Sequence, residues 1–242
     1  MAITGAAELL ATWEAGLAEA PTGRALLLHR TARPDVDATT LPVLPVGERE
    51  ADLFALRRAL FGERMQVRLA CLVCGEDMEF DLDAGEFARS LGGPGGSVVR
   101  VQQDGWDVEF RLPGVADLTA AARSADPRAA LLARCLVSAA RDGAVVAAAE
   151  LPVPVQRRIA EAVEAADPGA DVTLNIACPE CGAATRAELD IASYLWTELD
   201  AWARDLLLDV HLLATSYGWS EPEILALSPL RRRYYLELCA DV

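Results

Sequence analysis

Lysine is absent from this 242-residue chain, and all 22 basic positions are arginine. The bias reflects a GC-rich coding sequence and carries no function of its own. Positive charge is scarce as well, because 37 acidic residues leave a net charge of −15. That balance excludes a binder of nucleic-acid backbone, which must present clustered positive charge to phosphates. Long apolar runs are missing. None approaches the ~20 residues that cross a bilayer, and the apolar stretch near Leu206 is interrupted by Asp205 and Asp209. The first 20 positions carry Glu8, Glu14 and Glu19 but no basic residue, so a secretory leader is not expected and the cytoplasm is the expected compartment. Catalytic patterns are missing too. There are only two histidines, His29 and His211, both in apolar helical contexts that suit core or boundary positions. No Ser/His/Asp set, phosphate loop or GxGxxG occurs, and the carboxylates are scattered without a general acid/base pair. The reading is of a protein that is not an enzyme.

Hydrophobic residues make up 52% of the chain, enough to bury a core as one large domain or as two compact lobes. Its most informative feature is a motif that occurs twice. Cys71-Leu72-Val73-Cys74-Gly75 returns as Cys178-Pro179-Glu180-Cys181-Gly182, an offset of 107 residues from Cys71 to Cys178. The surroundings return at the same offset. Leu44-Pro45-Val46 falls on Leu151-Pro152-Val153, and Gly62 on Gly169. Val67 and Leu69 fall on Leu174 and Ile176, Leu82 and Asp83 on Leu189 and Asp190, and Phe87 on Tyr194. Matches in this number without a gap point to an internal duplication.

Periodicity places the motifs. Residues 5–20 carry Leu9, Leu10, Trp13 and Leu17 on one helical face, a second helix is expected near 25–30, and 31–45 reads as a Pro/Asp/Thr-rich connector. A helix over 48–61 stops at Gly62, and alternating residues on either side of the first CxxC give strand, knuckle, strand, with Gly75 making the turn. The second copy repeats this with a helix over 155–166 and strands over 171–177 and 186–189. Between the copies lie a glycine-rich linker at 91–96, a hairpin over 99–112 turning at Asp104-Gly105, and an alanine-rich helix expected over 127–141 behind Asp126-Pro127. From Ser193 onward the chain is helical. Trp196, Leu199, Trp202, Leu206, Val210 and Leu213 form one stripe, Ser220 to Glu223 is a capping-box pattern, and Ser228-Pro229 opens the last helix. The expected fold is therefore α+β and predominantly helical, in five segments: an N-terminal helical segment (1–45), a first zinc-knuckle lobe (46–90), a hairpin-and-helix linker (91–150), a second zinc-knuckle lobe (151–192) and C-terminal helices (193–242).

Each CxxC presents two sulfurs to one point, and neither lobe offers a third ligand. The economical reading is one structural Zn²⁺ held by Cys71, Cys74, Cys178 and Cys181, a closed site with no position left for substrate. The alternatives are a thioredoxin-like redox pair, or reduced thiols without metal. A redox CxxC needs a helix N-terminus to lower its thiol pKa, whereas these motifs sit between alternating strands. Cys135 and Cys239 are single helical cysteines and read as inert. The run Arg231-Arg232-Arg233, with Trp219 nearby, is a candidate docking patch for an acidic partner. The competing reading is a solvated helix face and an aromatic core.

The tail from Trp219 to Leu227, Trp-Ser-Glu-Pro-Glu-Ile-Leu-Ala-Leu, followed by Arg231-Arg232-Arg233-Tyr234-Tyr235-Leu236, resembles the ending of T4-type baseplate hub assembly chaperones. The stretch Gly47-Glu48-Arg49-Glu50, leading to Leu56-Arg57, Phe61-Gly62 and a CxxCG, supports the resemblance. It implies a non-enzymatic protein of contractile phage tails or related injection systems, with baseplate hub, spike or tube proteins as partners and an association with the particle. The zinc is argued from this chain's cysteines alone. A second function class is a zinc-ribbon adaptor in transcription or RNA metabolism, which should show a basic face that this acidic chain lacks.

Overall fold

The computed structural model describes residues 5–92 and 96–240. Gly93, Pro94 and Gly95 of the expected linker lie outside the described residues, as do residues 1–4. In chain order, helices α1 (Ala6–Leu17) and α2 (Pro21–Ala32) lead through a turn-rich connector into α3 (Val46–Phe61), strands β1 (Arg64–Ala70) and β2 (Asp77–Asp83), and α4 (Ala84–Leu91). Next come β3 (Val98–Gln103), β4 (Trp106–Arg111), α5 (Val115–Ala122), α6 (Pro127–Cys135), β5 (Leu136–Arg141) and the short β6 (Ala144–Val145). Helix α7 (Val153–Ala166), strands β7 (Thr173–Ala177) and β8 (Ala184–Glu188), and helices α8 (Ile191–Tyr217), α9 (Glu221–Leu225) and α10 (Pro229–Ala240) follow. This is an α+β fold dominated by helix, with small antiparallel sheets. Among the described residues no helix is long and apolar enough to cross a membrane.

The chain divides into two compact units, 1–31 with 192–242, and 32–191. In the first, the Trp13 indole N–H donates to Asp200 Oδ1 on α8 at 2.9 Å. The ring of Trp196 occupies the space that a side chain at Gly16 would need, and the Arg24 guanidinium lies 4.7 Å over that ring. The α8 stripe buries Leu199, Leu206 and Leu213 and half-buries Trp196, Trp202 and Val210. His29 is buried as expected. His211 is exposed instead, because it falls on the solvent side of α8, two residues from buried Leu213.

The second unit holds a four-stranded sheet in the order β3-β4-β5-β6 and two separate hairpins, β1-β2 and β7-β8. Trp106, Val108 and Phe110 alternate inward on β4 and share a core with Cys135, Val155 and Ile159. The Asp104-Gly105 turn joins β3 to β4 with Gln103 opposite Trp106, as the sequence suggests. The alanine-rich helix is shorter than expected. It ends at Cys135, and 136–141 pairs as β5 along β4. A second positive-φ turn, Asp142-Gly143, folds the chain back there, and the open edge of β4 outweighs the helix propensity of alanine. Helices α4 and α5 add to the helices expected from the sequence. Each is only eight residues long, and α4 is started by Asp83, whose Oδ1 accepts the Glu86 amide at 2.7 Å.

Two contacts place the hairpins. Buried Arg57 on α3 donates to the carbonyls of Gly62 and Arg64 at 2.7 and 2.6 Å, tying the helix end to the start of β1. Further along, the first turn of α3 rests on the 168–170 turn that precedes β7. The Gly47 amide donates to buried Asp167 Oδ2 at 3.1 Å, and Gly47 and Gly169 meet backbone to backbone. A β-carbon on Gly47 would strike Asp167 Oδ1, so this close approach requires glycine there. Burial pushes the Asp167 carboxyl above the usual carboxylate range, opposed by its bond from Gly47.

Gly47→Ala should therefore lower stability by about 1–3 kcal/mol through overpacking, measured by chemical denaturation. Asp167 also carries a pH signature. A carboxyl whose folded pKa is raised stabilises most below the unfolded value of about 4, and that contribution is lost as pH rises through the folded value. Relative to Asp167→Asn, the wild type should thus gain stability as pH falls from neutrality toward 4, and parallel profiles for the two proteins would contradict the assignment.

Candidate metal centre

Each CxxC is the tip of one hairpin, and the two tips have the same backbone wiring. The Cys71 amide donates to the Glu76 carbonyl at 2.8 Å, and the Gly75 amide to the Cys71 carbonyl at 2.9 Å. In the second tip, Cys178 bonds to Ala183 and Gly182 to Cys178, each at 2.9 Å. Gly75 and Gly182 have φ of +76° and +72°, a conformation open to glycine at little cost, which closes each turn directly behind its second cysteine.

The two tips meet. All four sulfurs of Cys71, Cys74, Cys178 and Cys181 lie within 4.8 Å of one another. Cys71 Sγ is 3.7 Å from Cys181 Sγ, and Cys74 Sγ is 3.7 Å from Cys178 Sγ, so the close pairs run between hairpins. Bonded sulfurs sit about 2.05 Å apart, so these are not disulfides. Four sulfurs placed 2.3 Å from a tetrahedral ion lie about 3.8 Å from one another, the spacing of the two close pairs here. Cys71 and Cys178 are buried against Met78, Leu69 and Ile176, while Cys74 and Cys181 face solvent. The centre is thus seated on an apolar base and open on one side.

Electrostatics favours a cation here. The amides of Cys74 and Val73 hold the Cys71 thiol down at about 6, with smaller contributions from the Cys74 thiol and the Thr185 hydroxyl. The amides of Glu76 and Ala183 pull in the same direction on Cys74 and Cys181. The Cys181, Cys71 and Cys178 sulfurs together with burial outweigh this at Cys74 and push it up to about 12. Burial with the Cys71 and Cys178 sulfurs raises Cys181, although the Cys74 sulfur pulls it down. One thiolate forms easily and its charge opposes the next. A divalent ion reverses that penalty for all four.

Sequence reasoning named the four cysteines but missed Thr185, whose buried hydroxyl donates to Cys71 Sγ at 3.8 Å. The 107-residue offset does point to it, because Thr185 falls on Met78, the buried residue at the same position behind the first knuckle.

The other candidates lie in the first unit. Trp219 is half-buried, stacked on Tyr217 at 4.7 Å between ring centroids and edge-on to Tyr235 at 4.9 Å. The three arginines do not share one face. Arg232 is buried and donates to Asp209 Oδ2 at 3.1 Å, whereas Arg231 and Arg233 are exposed, Arg233 pairing with Glu237 along the helix. Consecutive residues on a helix point about 100° apart, so a run of three cannot share one face. The Ser220 amide and hydroxyl both donate to Glu223, forming the box that opens α9.

The family model of T4 bacteriophage base plate proteins matches residues 26–195. The chain belongs to this family. The matched span includes both CxxC motifs and the stretch from Gly47 to Glu50, and it ends before the Trp219 tail. No curated protein and no solved structure matches the chain. Membership makes this a base plate protein with a four-sulfur cluster able to hold a metal ion.

The remaining cysteines behave differently. Cys135 is fully buried at the end of α6, and burial first, then the nearby Asp117 charge, pushes its thiol up to about 11. Iodoacetamide at neutral pH should leave Cys135 unmodified in the native protein and label it only on unfolding, as read by mass spectrometry of peptides. Labelling of native Cys135 at the rate of a free thiol would contradict its place in the core.

Proposed function

We propose that this base plate protein is a zinc-pinned, non-enzymatic assembly factor or accessory component of the baseplate hub in a contractile tail or injection system. The observation that carries the zinc is the 3.7 Å spacing between sulfurs of opposite hairpins, which suits a tetrahedral four-thiolate ion. Zinc suits soft thiolates and tetrahedral geometry and brings no redox chemistry. With all four positions filled by protein, the ion fixes structure and leaves no place for substrate. The two knuckle lobes, 46–90 and 151–192, are copies of one ancestral unit joined by the 91–150 segment, and the ion does for the pair what a core does for a larger domain.

The assembly role draws on the family, on the acidic surface, and on the absence of a catalytic constellation from the sequence. Hub, spike or tube proteins are the partners this reading names, and the assembling particle is its location. Exposed Arg231 and Arg233 on α10 are the contact groups, since guanidinium pairs carboxylates in two-pronged geometry. Trp219 and Arg232 hold that helix in place from within. The adaptor in transcription or RNA metabolism shares the knuckles but lacks support from charge.

Three outcomes follow. Elemental analysis of the purified chain should give one zinc per chain, and two equivalents, or none with the thiols free, would contradict a shared site. Cys74→Ser removes an exposed ligand with little change in packing, so its effect reports the ion. It should lower the melting temperature by roughly 10 °C, as should a strong chelator on the wild type. Arg231→Ala with Arg233→Ala, leaving Arg232 in place, should reduce co-purification with hub or tube proteins while the fold persists. Unchanged particle yield from a folded double variant would remove this surface from the account.

A further inference from the structure

The two sulfur–sulfur distances of 3.7 Å both run between hairpins, and each joins an exposed cysteine to a buried one. Cys74 and Cys181 face solvent on opposite tips. Their close partners, Cys178 and Cys71, are each only 2% exposed. A disulfide needs about 2.05 Å between sulfurs, so each pair has about 1.7 Å left to close. Leu69, Met78, Ile176 and Ala183 pack around the two buried sulfurs, so the hairpins keep facing each other while one ligand reacts.

Zinc has no redox chemistry of its own, but thiolates do. A hydroperoxide reaches an exposed thiolate first, because oxidation follows thiolate character and access. With hydrogen peroxide, the sulfur of Cys74 or Cys181 takes one oxygen to become a sulfenic acid, and hydroxide leaves. The buried thiolate beside it, Cys178 or Cys71, then attacks that sulfur. The S–S bond forms, the S–O bond breaks, and a second hydroxide leaves. Two electrons pass from sulfur to each peroxide. Two peroxides therefore turn four thiolates into two disulfides and four hydroxide ions, and the ion departs without ligands.

We infer that the cluster is an oxidation site for hydroperoxides, which convert it from a metal joint into a covalent one through the disulfides Cys74–Cys178 and Cys71–Cys181. This rests on the four-thiolate reading and adds a second state to it. Because the new bonds cross between the tips, loss of the ion does not part the hairpins. Disulfides closed within each CxxC do the opposite and leave two short hairpins without a link. The crossed bonds hold the unit's arrangement under oxidising conditions, and a thiol reductant restores the ligands.

The test treats the full purified chain with hydrogen peroxide at neutral pH, cleaves it after arginine without reduction, and reads the peptides by mass spectrometry. Cleavage leaves Cys71 and Cys74 on peptide 69–89, Cys178 and Cys181 on peptide 159–186, and Cys135 and Cys239 on others. The folded chain should give one species that joins the first two peptides, lighter than their sum by the hydrogens of two disulfides. Fragmentation should pair Cys74 with Cys178. The same treatment in denaturant is the control. An unfolded chain closes the two-residue gap of a CxxC far more readily than a gap of more than a hundred residues, so the joined species should fall at least about tenfold. Disulfides closed within each CxxC of the folded chain would overturn the inference. So would cysteines carried on to sulfinic acid without a link, or four thiols left intact. A chain purified without zinc would defeat the metal reading, while the linkage found after peroxide would still decide this one.

Discussion

Two cysteine pairs separated by more than a hundred positions converge on a single point, and the arrangement of the second unit turns on that convergence. A hairpin of two short strands has too little apolar surface to hold itself in water. Here two such hairpins share a base of Met78, Leu69 and Ile176, and their tips place four sulfurs within one coordination radius. Four close thiols are poorly suited to each other as thiolates. Around a divalent ion they become a joint that fixes both hairpins at once. Behind this joint, the Gly47–Gly169 approach and the Arg57 bonds set the directions from which the hairpins arrive.

Much of this was legible in the sequence, because the signals are local. Alternation marks β1, β2 and β4, the positive-φ glycines mark the knuckle turns, and the repeat offset pairs the two motifs. What escaped depends on partners distant in sequence. Residues 136–141 have the composition of a helix and become strand because β4 offers an unpaired edge. The arginine run looked uniform in sequence, yet Arg232 is turned inward to Asp209, 23 positions away along the chain. His211 shares an apolar neighbourhood in sequence but not in space. The repeat offset marks the position of Thr185, but its hydroxyl acquires a role only once the opposite knuckle's Cys71 arrives beside it.

The two units of this base plate protein are built differently. The unit with the four-sulfur cluster also buries a core around Trp106, Val108 and Phe110. The helical unit presents arginines on a short final helix, anchored from within by the Tyr217, Trp219 and Tyr235 rings and by the Arg232–Asp209 pair. Weak, exposed and charge-patterned surfaces exchange partners readily, because rim charges govern encounter and register more than lifetime. The net charge of −15 discourages nonspecific association with nucleic acid.

The central claim is that one ion joins the two knuckles. X-ray absorption at the zinc edge on the purified protein tests it directly. The account predicts a single shell of four sulfurs at about 2.3 Å with no oxygen or nitrogen neighbour. A shell with two sulfurs completed by light atoms would mean that each knuckle binds metal separately, and would contradict the shared site.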